Sequence, residues 1–417
     1  MKRLARKAAQ SGIALCSRLF GFDPYPAIKA RWERKAFESA RPDAPLEGDG
    51  VNLFFETESL SSISKTGRDF AFKLEKTGIP FSVVDTTAPW AERRTIQGPE
   101  LDRIRRLRKD VAPYRKCIVF GGEKQRSPAG YSVYHELFYE FARGVTVWKP
   151  DLFRKANAFC VFSGFCETLL RDAGPAGFPI AKIRYPYLFP EGGNAASKAD
   201  VRTRYGIPPD TFAVFFNFSY GSSIERKNPG AVIEAFASAF GNDPDVRLVF
   251  KTNSADSWPE DAATVERMLQ NAGLAERTVR IDANLPMEEV LDLTSAMDAY
   301  VSLHRGEGLG LGMLEAMSLG VPVVASAYGG NMDFTNDETA FLVPCKIVPC
   351  PPECLFHKFT HEWAEPDVAT AARHLKTIRD DPALARKKAE SGLAFVRDFY
   401  SLENFEKDVR AFLALPD

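Results

Sequence analysis

Cysteine is sparse in this chain: seven residues in 417, an odd number, with no Cys-x-x-Cys pair. That argues against a disulfide scaffold and favours a reducing compartment. Cys345, Cys350 and Cys354 cluster, but their spacing is not that of a zinc site. Pro344, Pro349, Pro351 and Pro352 make that stretch read as a loop. No run approaches the ~18 apolar residues of a membrane-spanning helix. Histidine is scarce, with five residues, so few imidazoles are available for acid–base work.

What is present is ordinary for a folded protein: 45% hydrophobic, 26% charged and 12% aromatic. The length suits two or three domains at ~100–200 residues each. Net charge is −1, and that total hides a split. Residues 1–200 hold 33 Lys and Arg against 23 Asp and Glu, whereas residues 201–417 hold 21 against 32. Halves of opposite sign point to domains with different partners.

The N-terminus, Met1-Lys2-Arg3-Leu4-Ala5-Arg6-Lys7, is basic, but Gln10, Ser11, Ser17 and Arg18 interrupt the next two turns' worth of sequence. A secretory core needs a cleaner apolar run. Residues 1–41 carry ten basic and three acidic residues, with Leu15, Leu19, Phe20 and Phe22 available as a lipid-facing surface. The alternative is a helix packed on the first domain. The expected location is cytoplasmic, peripheral to the inner face of the plasma membrane if that basic segment binds lipid.

Apolar runs and helical spacing alternate along the chain. Val51–Phe55, Ser64–Thr77 and Ile79–Val84 form a βαβ pattern. Cys117–Phe120 and Phe159–Phe162 read as buried strands, with an aromatic run from Tyr131 to Trp148 between them. A small, polar stretch near Pro190–Ser197 reads as a linker. Strands are then expected at Phe212–Phe218, Val246–Phe250, Val279–Asp282, Ala299–Leu303 and Val321–Ala325, separated by helices. This alternation implies a parallel, doubly wound sheet.

The richest segment is Ser302 to Glu315, where a strand runs through Gly306, Gly308, Gly310 and Gly312 into a helix. Ligands of open α/β sheets bind outside the carboxyl ends of strands. A helix N-terminus there offers N–H donors and partial positive charge to a phosphate. Glycine-rich turns also serve packing, but two carboxylates sharpen the reading. Glu307 in the turn and Glu315 in the helix would repel a phosphate, and make sense if they accept from hydroxyls. A diphosphate flanked by two polyols, as in a nucleotide-sugar, fits. Arg226 and Lys227, in a loop of the same half, are candidates to neutralise a departing diphosphate. Lys251 also lies at a strand's carboxyl end.

The segment SLHRGEGLGLGMLEAMSLGVPVVASAYGGNMDF, with Glu307-x7-Glu315 inside it, resembles the signature of retaining glycosyltransferases of family 4. Glu225-Arg226-Lys227-Asn228-Pro229 and Trp363-Ala364-Glu365-Pro366-Asp367 resemble a subgroup of bacterial surface-polysaccharide enzymes. The resemblance covers residues 210–400. It implies an α/β GT-B fold: two Rossmann-like doubly wound domains facing across a cleft, with a basic helical N-terminal extension. The expected division is an extension over 1–47, an acceptor domain over 48–190, a linker over 191–207, a nucleotide-sugar domain over 208–395 and a returning C-terminal helix over 396–417.

Roles follow from the same resemblance. Glu315 is similar to the glutamate that holds the ribose hydroxyls, and Glu307 to the one that touches the donor sugar. Gly308, Leu309 and Gly310 would give backbone N–H groups to the diphosphate and sugar. Arg226 and Lys227 take the place of the phosphate clamp, although here they are adjacent instead of spaced. The usual Gly-Arg-Leu strand ending is replaced by Asn217-Phe218-Ser219, which makes Asn217 a substrate-binding candidate. Asp282 would lie near the nucleobase, and His304 and Arg305 would line the donor site. His135 is the candidate in the acceptor half, the alternative being an interior histidine. Asp243-Pro244-Asp245 is the one Asp-x-Asp, and its setting before a strand does not suit a metal site. No metal or cofactor is expected beyond the donor itself.

Residues 93–116 are strongly basic and read as an amphipathic helix, from Arg93 to Lys116. An anionic membrane surface or a polyprenyl-diphosphate-linked glycan acceptor would suit it; a solvated face is the alternative. No nucleic-acid-binding motif accompanies it. Two rival functions are a non-catalytic nucleotide-sugar binder and a nicotinamide-dependent oxidoreductase. The latter lacks Gly-x-Gly-x-x-Gly in the first βα unit of either half. The donor favoured by the subgroup resemblance is GDP-mannose.

Overall fold

The computed structural model describes residues 25–88, 95–121, 127, 130–141, 151–190, 196–354 and 360–416. The chain divides into two compact units. One comprises 1–138, 149–188 and 402–417, and the other 139–148 and 189–401. The basic segment 1–24, Arg93 and Arg94, and residues 191–195 of the expected linker lie outside the described residues.

Among its described residues, the first unit opens with helix α1 (Tyr25–Ala40) and strand β1 (Glu47–Phe55). Next come helix α2 (Ser62–Leu74), β2 (Phe81–Asp85), α3 (Gly98–Leu107), β3 (Tyr114–Val119), β4 (Ser132–Glu136), β5 (Ala158–Val161), α4 (Gly164–Ala173) and β6 (Ile180–Lys182). The six strands form one parallel sheet in the order β2-β1-β3-β4-β5-β6. Strands buried on both faces need near-continuous apolar runs, which Val51–Phe55 and Cys117–Phe120 supply. Helices start where a serine accepts from a free N–H: Ser61 from Ser64, and Ser163 from Cys166.

In α1, Phe37 stacks on Phe54 with ring centroids 3.9 Å apart, and the Ala40 carbonyl accepts from the Ala112 N–H. The described part of the basic extension therefore packs on the sheet. The long basic helix over 93–116 is corrected as well. Helix α3 stops at Leu107, and Pro113, which has no N–H to donate, precedes β3. Arg115 and Lys116 belong to that strand. Three of the remaining arginines meet carboxylates: Arg103 meets Glu75, Arg105 meets Glu58, and Arg108 meets Glu58 and Asp85.

Helix α5 (Lys198–Arg204) of the second unit lies inside the stretch expected to be linker. Arg202, fully buried, explains why. It donates to the Ala296, Pro209 and Thr211 carbonyls and pairs with Asp298 at 2.7 Å. Then come β7 (Phe212–Asn217), α6 (Pro229–Phe240), β8 (Val246–Thr252), α7 (Pro259–Asn271), β9 (Thr278–Asp282), α8 (Met287–Ser295), β10 (Ala299–Ser302), α9 (Leu311–Ser318), β11 (Val323–Ser326) and β12 (Phe341–Val343). All six strands are parallel, ordered β12-β11-β10-β7-β8-β9. Taken from the other edge this is 3-2-1-4-5-6, and the order reverses between β7 and β10. The core joins Phe216, Leu248 and Val301 of the sheet to Phe236 of α6.

The Cys345–Pro349 stretch, expected as loop, is strand β13, which pairs antiparallel with β14 (Glu362–Pro366). Helices α10 (Val368–Asp380) and α11 (Pro382–Phe399) come next, capped by the side chains of Asp367 and Asp381. Helix α12 (Leu402–Leu413) belongs to the first unit. It buries Phe405, Val409 and Phe412, at i, i+4 and i+7, with Phe405 against Phe70 at 5.0 Å and Phe412 against Tyr134 at 4.9 Å. Lys116 donates to the Leu415 and Pro416 carbonyls at 2.8 and 3.1 Å.

Candidate functional site

The strand-order reversal of the second unit opens a crevice at the carboxyl ends of β7 and β10, where ligands of such sheets bind. Two loops flank it, residues 218–228 after β7 and 303–310 after β10. The first contains a one-turn helix, Ile224–Lys227. Two non-glycine residues with positive φ bracket that helix, Ser223 at 69° and Asn228 at 57°. Such conformations cost about 1–3 kcal/mol each and persist only where surroundings enforce them. Asn228 is enforced from both sides. Its side chain accepts from the Ala231 N–H, capping α6, and donates to the Leu303 carbonyl at 3.0 Å.

That loop delivers Arg226 and Lys227 to Glu307. The Lys227 Nζ lies 2.5 Å from Glu307 Oε2, and an Arg226 guanidinium nitrogen lies 3.7 Å from the same oxygen. Burial alone would push the Glu307 carboxyl up, but the charges of Lys227 and then Arg226 outweigh it and hold it at about 2. Arg226 is 5% exposed. It also donates to the Gly306 carbonyl at 3.0 Å and the Ser222 carbonyl at 3.2 Å, and pairs with Glu140 at 3.0 Å. Residues 139–141 group with this unit, and sequence reasoning missed Glu140 altogether. Nothing local marks it, because its partner comes from a distant part of the chain.

The glycines of the turn are needed for close approach. Gly310 has φ 97° at the start of α9. A Cβ on Gly330 would lie 2.0 Å from the Gly308 carbonyl oxygen, so the turn and the loop after β11 touch backbone to backbone. Leu309 turns its side chain into the core. The first N–H groups of α9 have no acceptor within their own helix and lie at the same mouth.

Asn217, Lys251 and Asp282 lie across the carboxyl ends of β7, β8 and β9, with Asn217 opposite Lys251 and Thr252 opposite Asp282. The Asn217 side chain accepts from the buried Tyr300 hydroxyl at 2.7 Å. Asp282 accepts from the Thr252 hydroxyl at 2.8 Å. Burial lowers the Lys251 ammonium, opposed by Asp282 and Glu315. Glu315 is buried on α9. The structure thus gathers Arg226, Lys227, Glu307, Glu315, Asn217, Lys251, Asp282 and the 308–310 backbone around the ends of β7 to β10.

Residues 209–348 match the family of glycosyl transferases group 1. A D-inositol 3-phosphate glycosyltransferase of Corynebacterium aurimucosum is 33% identical over 130 residues, 31% of this chain and 30% of that protein. The lipopolysaccharide core biosynthesis mannosyltransferase LpsB of Rhizobium meliloti is 24% identical over 262 residues, 61% of this chain and 64% of that protein. The chain therefore spans less than two thirds of these relatives. Among solved structures, Anabaena HepE in complex with UDP and glucose superposes with TM-score 0.59 at 14% identity, over 88% of this chain and all of that one. Sucrose-phosphate synthase from Thermosynechococcus elongatus gives 0.60 at 16%, over 87% of this chain and 98% of that one. Two six-stranded parallel Rossmann-like domains, as found here, are the GT-B fold.

Two expected donor-site residues are placed otherwise. His304 is 0% exposed. Its Nδ1 faces the Ser302 hydroxyl at 3.0 Å and its Nε2 the Tyr328 carbonyl at 2.8 Å. A carbonyl only accepts, so Nε2 carries the proton. Burial lowers the pKa of His304 against the pull of Glu307. Both ring nitrogens are thus engaged, linking the end of β10 to the loop after β11. Arg305 turns to the β13–β14 hairpin. Its guanidinium forks onto Glu365 at 2.7 and 2.9 Å, donates to the Glu225 carbonyl at 3.0 Å and lies 4.7 Å from the Trp363 ring. The Trp363–Asp367 string carried only the subgroup resemblance, and nothing in it pointed to Arg305. His135, in the first unit, is buried on β4 in register with Val119 and Phe159.

Proposed function

We propose that the protein transfers a hexosyl group from a nucleotide-sugar to a glycan or lipid-linked oligosaccharide, with retention at the anomeric carbon. One observation carries the reading: Lys227 and Glu307, from two loops, meet at the strand-order reversal beside the N-terminus of α9. A cation with a helix N-terminus, and two carboxylates, suit the three parts of such a donor. Lys227 and the first N–H groups of α9 face the diphosphate, Glu307 accepts from the sugar hydroxyls, and Glu315 accepts from the ribose. The group 1 match over 209–348 covers all of these residues.

In the step itself the acceptor oxygen bonds to the anomeric carbon on the face from which the diphosphate leaves. The carbon–oxygen bond to the diphosphate breaks, and the acceptor proton passes to the departing group. Protein cations and the helix terminus stabilise the charge that develops there, so the reading is metal-independent. His135 is the acceptor-side residue to test. The name of LpsB favours a mannosyl donor and a surface-polysaccharide acceptor, with GDP-mannose first in line. The UDP complex of HepE keeps uridine donors in the panel. No helix among the described residues is long and apolar enough to cross a membrane.

The deciding experiment is a thermal-shift panel of GDP, UDP and dTDP, followed by transfer or hydrolysis of the matching radiolabelled nucleotide-sugar with and without EDTA. A ligand stabilises only the state it binds. Turnover that survives EDTA and disappears in Glu307→Ala supports the reading. Binding without any turnover would instead make the chain a nucleotide-sugar binder or scaffold.

A further inference from the structure

Adjacent cations in a loop invite the view that both grip the same diphosphate. Their surroundings differ too much for that. The Lys227 side chain is 20% exposed and pairs with Glu307. The Arg226 side chain is 6% exposed and is committed in several directions. Its Nε donates to the Ser222 carbonyl, in its own loop. One terminal nitrogen donates to the Gly306 carbonyl and pairs with Glu140. The Arg226 carbonyl also accepts from the Arg305 N–H at 2.9 Å.

Gly306 is the meeting point of these contacts. A Cβ there would lie 2.6 Å from a Phe141 ring carbon and 2.7 Å from the Glu140 carbonyl oxygen. The backbone at 140–141 therefore packs directly on the turn, and Arg226 holds both the Glu140 carboxylate and the Gly306 carbonyl. Glu307 is the next residue, so its position depends on this node. Nε and one terminal nitrogen of Arg226 are thus tied to backbone carbonyls that no other described residue is seen to satisfy, and swinging the guanidinium away toward a diphosphate would leave them unpaired, at a cost typical of such groups.

From this we infer that Arg226 is a positioning residue for the glycine-rich turn, and that of the two cations only Lys227 contacts the phosphate. The inference rests on the nucleotide-sugar reading and separates two residues that sequence reasoning paired.

The test compares a nucleoside diphosphate with its monophosphate on the intact protein, by calorimetry. A residue that contacts the β-phosphate affects only the diphosphate. Lys227→Gln is expected to weaken the diphosphate about tenfold or more and to leave the monophosphate within about twofold. Arg226→Gln, which removes the charge but keeps a donor for Gly306, is expected to leave that ratio unchanged. Its kcat for donor turnover falls while donor KM moves within about threefold, because Glu307 is misplaced. A role in overall stability alone would lower Tm without this split between kcat and KM. Glu140→Gln provides a second arm if Arg226→Gln does not fold. Under the inference it lowers kcat and leaves diphosphate affinity unchanged. If Arg226 were a clamp, losing its competing carboxylate would tighten the diphosphate. Selective loss of the diphosphate in Arg226→Gln, or its tightening in Glu140→Gln, overturns the inference alone. A wild-type protein that binds no nucleoside diphosphate overturns the nucleotide-sugar reading as well.

Discussion

The Lys227 ammonium donates to the Glu307 carboxylate over 2.5 Å, linking the loop after β7 to the turn after β10. Each group fixes the other in the crevice where the sheet reverses its strand order. Without this contact Glu307 would be a half-buried carboxylate with its charge only partly answered, by Arg226 at 3.7 Å.

That pairing predicts how Glu307 variants behave. Glu307→Gln keeps the shape but removes the charge that accepts from sugar hydroxyls. Transfer is expected to fall by about a hundredfold or more, while nucleoside diphosphate binding persists, measured by steady-state turnover beside calorimetry. Unchanged turnover would remove Glu307 from the site.

The same carboxylate has a pH signature. Its folded pKa lies below the ordinary carboxylate value, at about 2. A depressed acid pKa contributes stability that is fully present above the unfolded value, near 4.5, and is lost as pH falls toward the folded one. Wild-type stability should therefore drop more steeply than that of Glu307→Gln between pH 4.5 and 2. Denaturant midpoints over that range check this, and parallel curves would contradict it.

Backbone contact at the turn makes a sharper structural prediction. Gly330→Ala places a methyl group 2.0 Å from the Gly308 carbonyl oxygen, a distance no side-chain carbon tolerates. The turn must move, so nucleotide binding should be lost while the far-UV spectrum is kept. Gly230→Ala is the control. Its added carbon meets the Met268 sulfur at 3.6 Å, an ordinary contact, within helix α6. It should bind normally.

How much of this was legible beforehand depends on which interactions are local. Five of the six strands of the second unit's parallel sheet, all but β12, were visible because a sheet covered on both faces demands continuous apolar runs, as in Phe212–Asn217. Glu307, Arg226 and Lys227 were visible because loops at strand ends carry the chemistry of such sheets. Glu140 and Glu365 were not, since each acts through a partner remote in sequence. Strand β4 was lost in an aromatic run, and β13 in a segment whose prolines suggested a loop. Helix α3 was drawn too long although Pro113 already argued for a break.

The Arg305–Glu365 fork suggests why the hairpin forms. A two-stranded ribbon is marginal alone, and here the Ala364 N–H also donates to the Arg305 carbonyl at 3.2 Å. Glu365→Gln is expected to cost about 1 kcal/mol. Trp363→Ala should cost more, about 3 kcal/mol, since it also empties a buried site. Hydrogen exchange at the Ala364 amide should quicken in both. Unchanged protection there would mean that β13 and β14 stand without Arg305.

Lys73 gives the first unit a pH dependence of opposite sense. It is buried on α2, donating to the Tyr187 carbonyl at 3.0 Å and lying 5.3 Å from the centre of the Phe405 ring of α12. Burial drives its pKa down to about 7, with Asp69 opposing. A base depressed in the folded state binds fewer protons there than in the unfolded chain, which holds its proton up to about 10.5. Below pH 7 both states are protonated and the cost of burying the charge is felt in full. From pH 7 toward 10.5 the folded state sheds its proton and stability rises, by at most about 1.4 kcal/mol per pH unit. Lys73→Met removes that charge. The variant should therefore be the more stable protein at about pH 6, and its advantage should shrink steadily between about pH 7 and 9. Because Phe405 packs on the same lysine, protease sensitivity of the 402–416 segment should track the same curve in the wild-type protein and be flat in the variant. An advantage independent of pH would show that Lys73 stays charged in the fold.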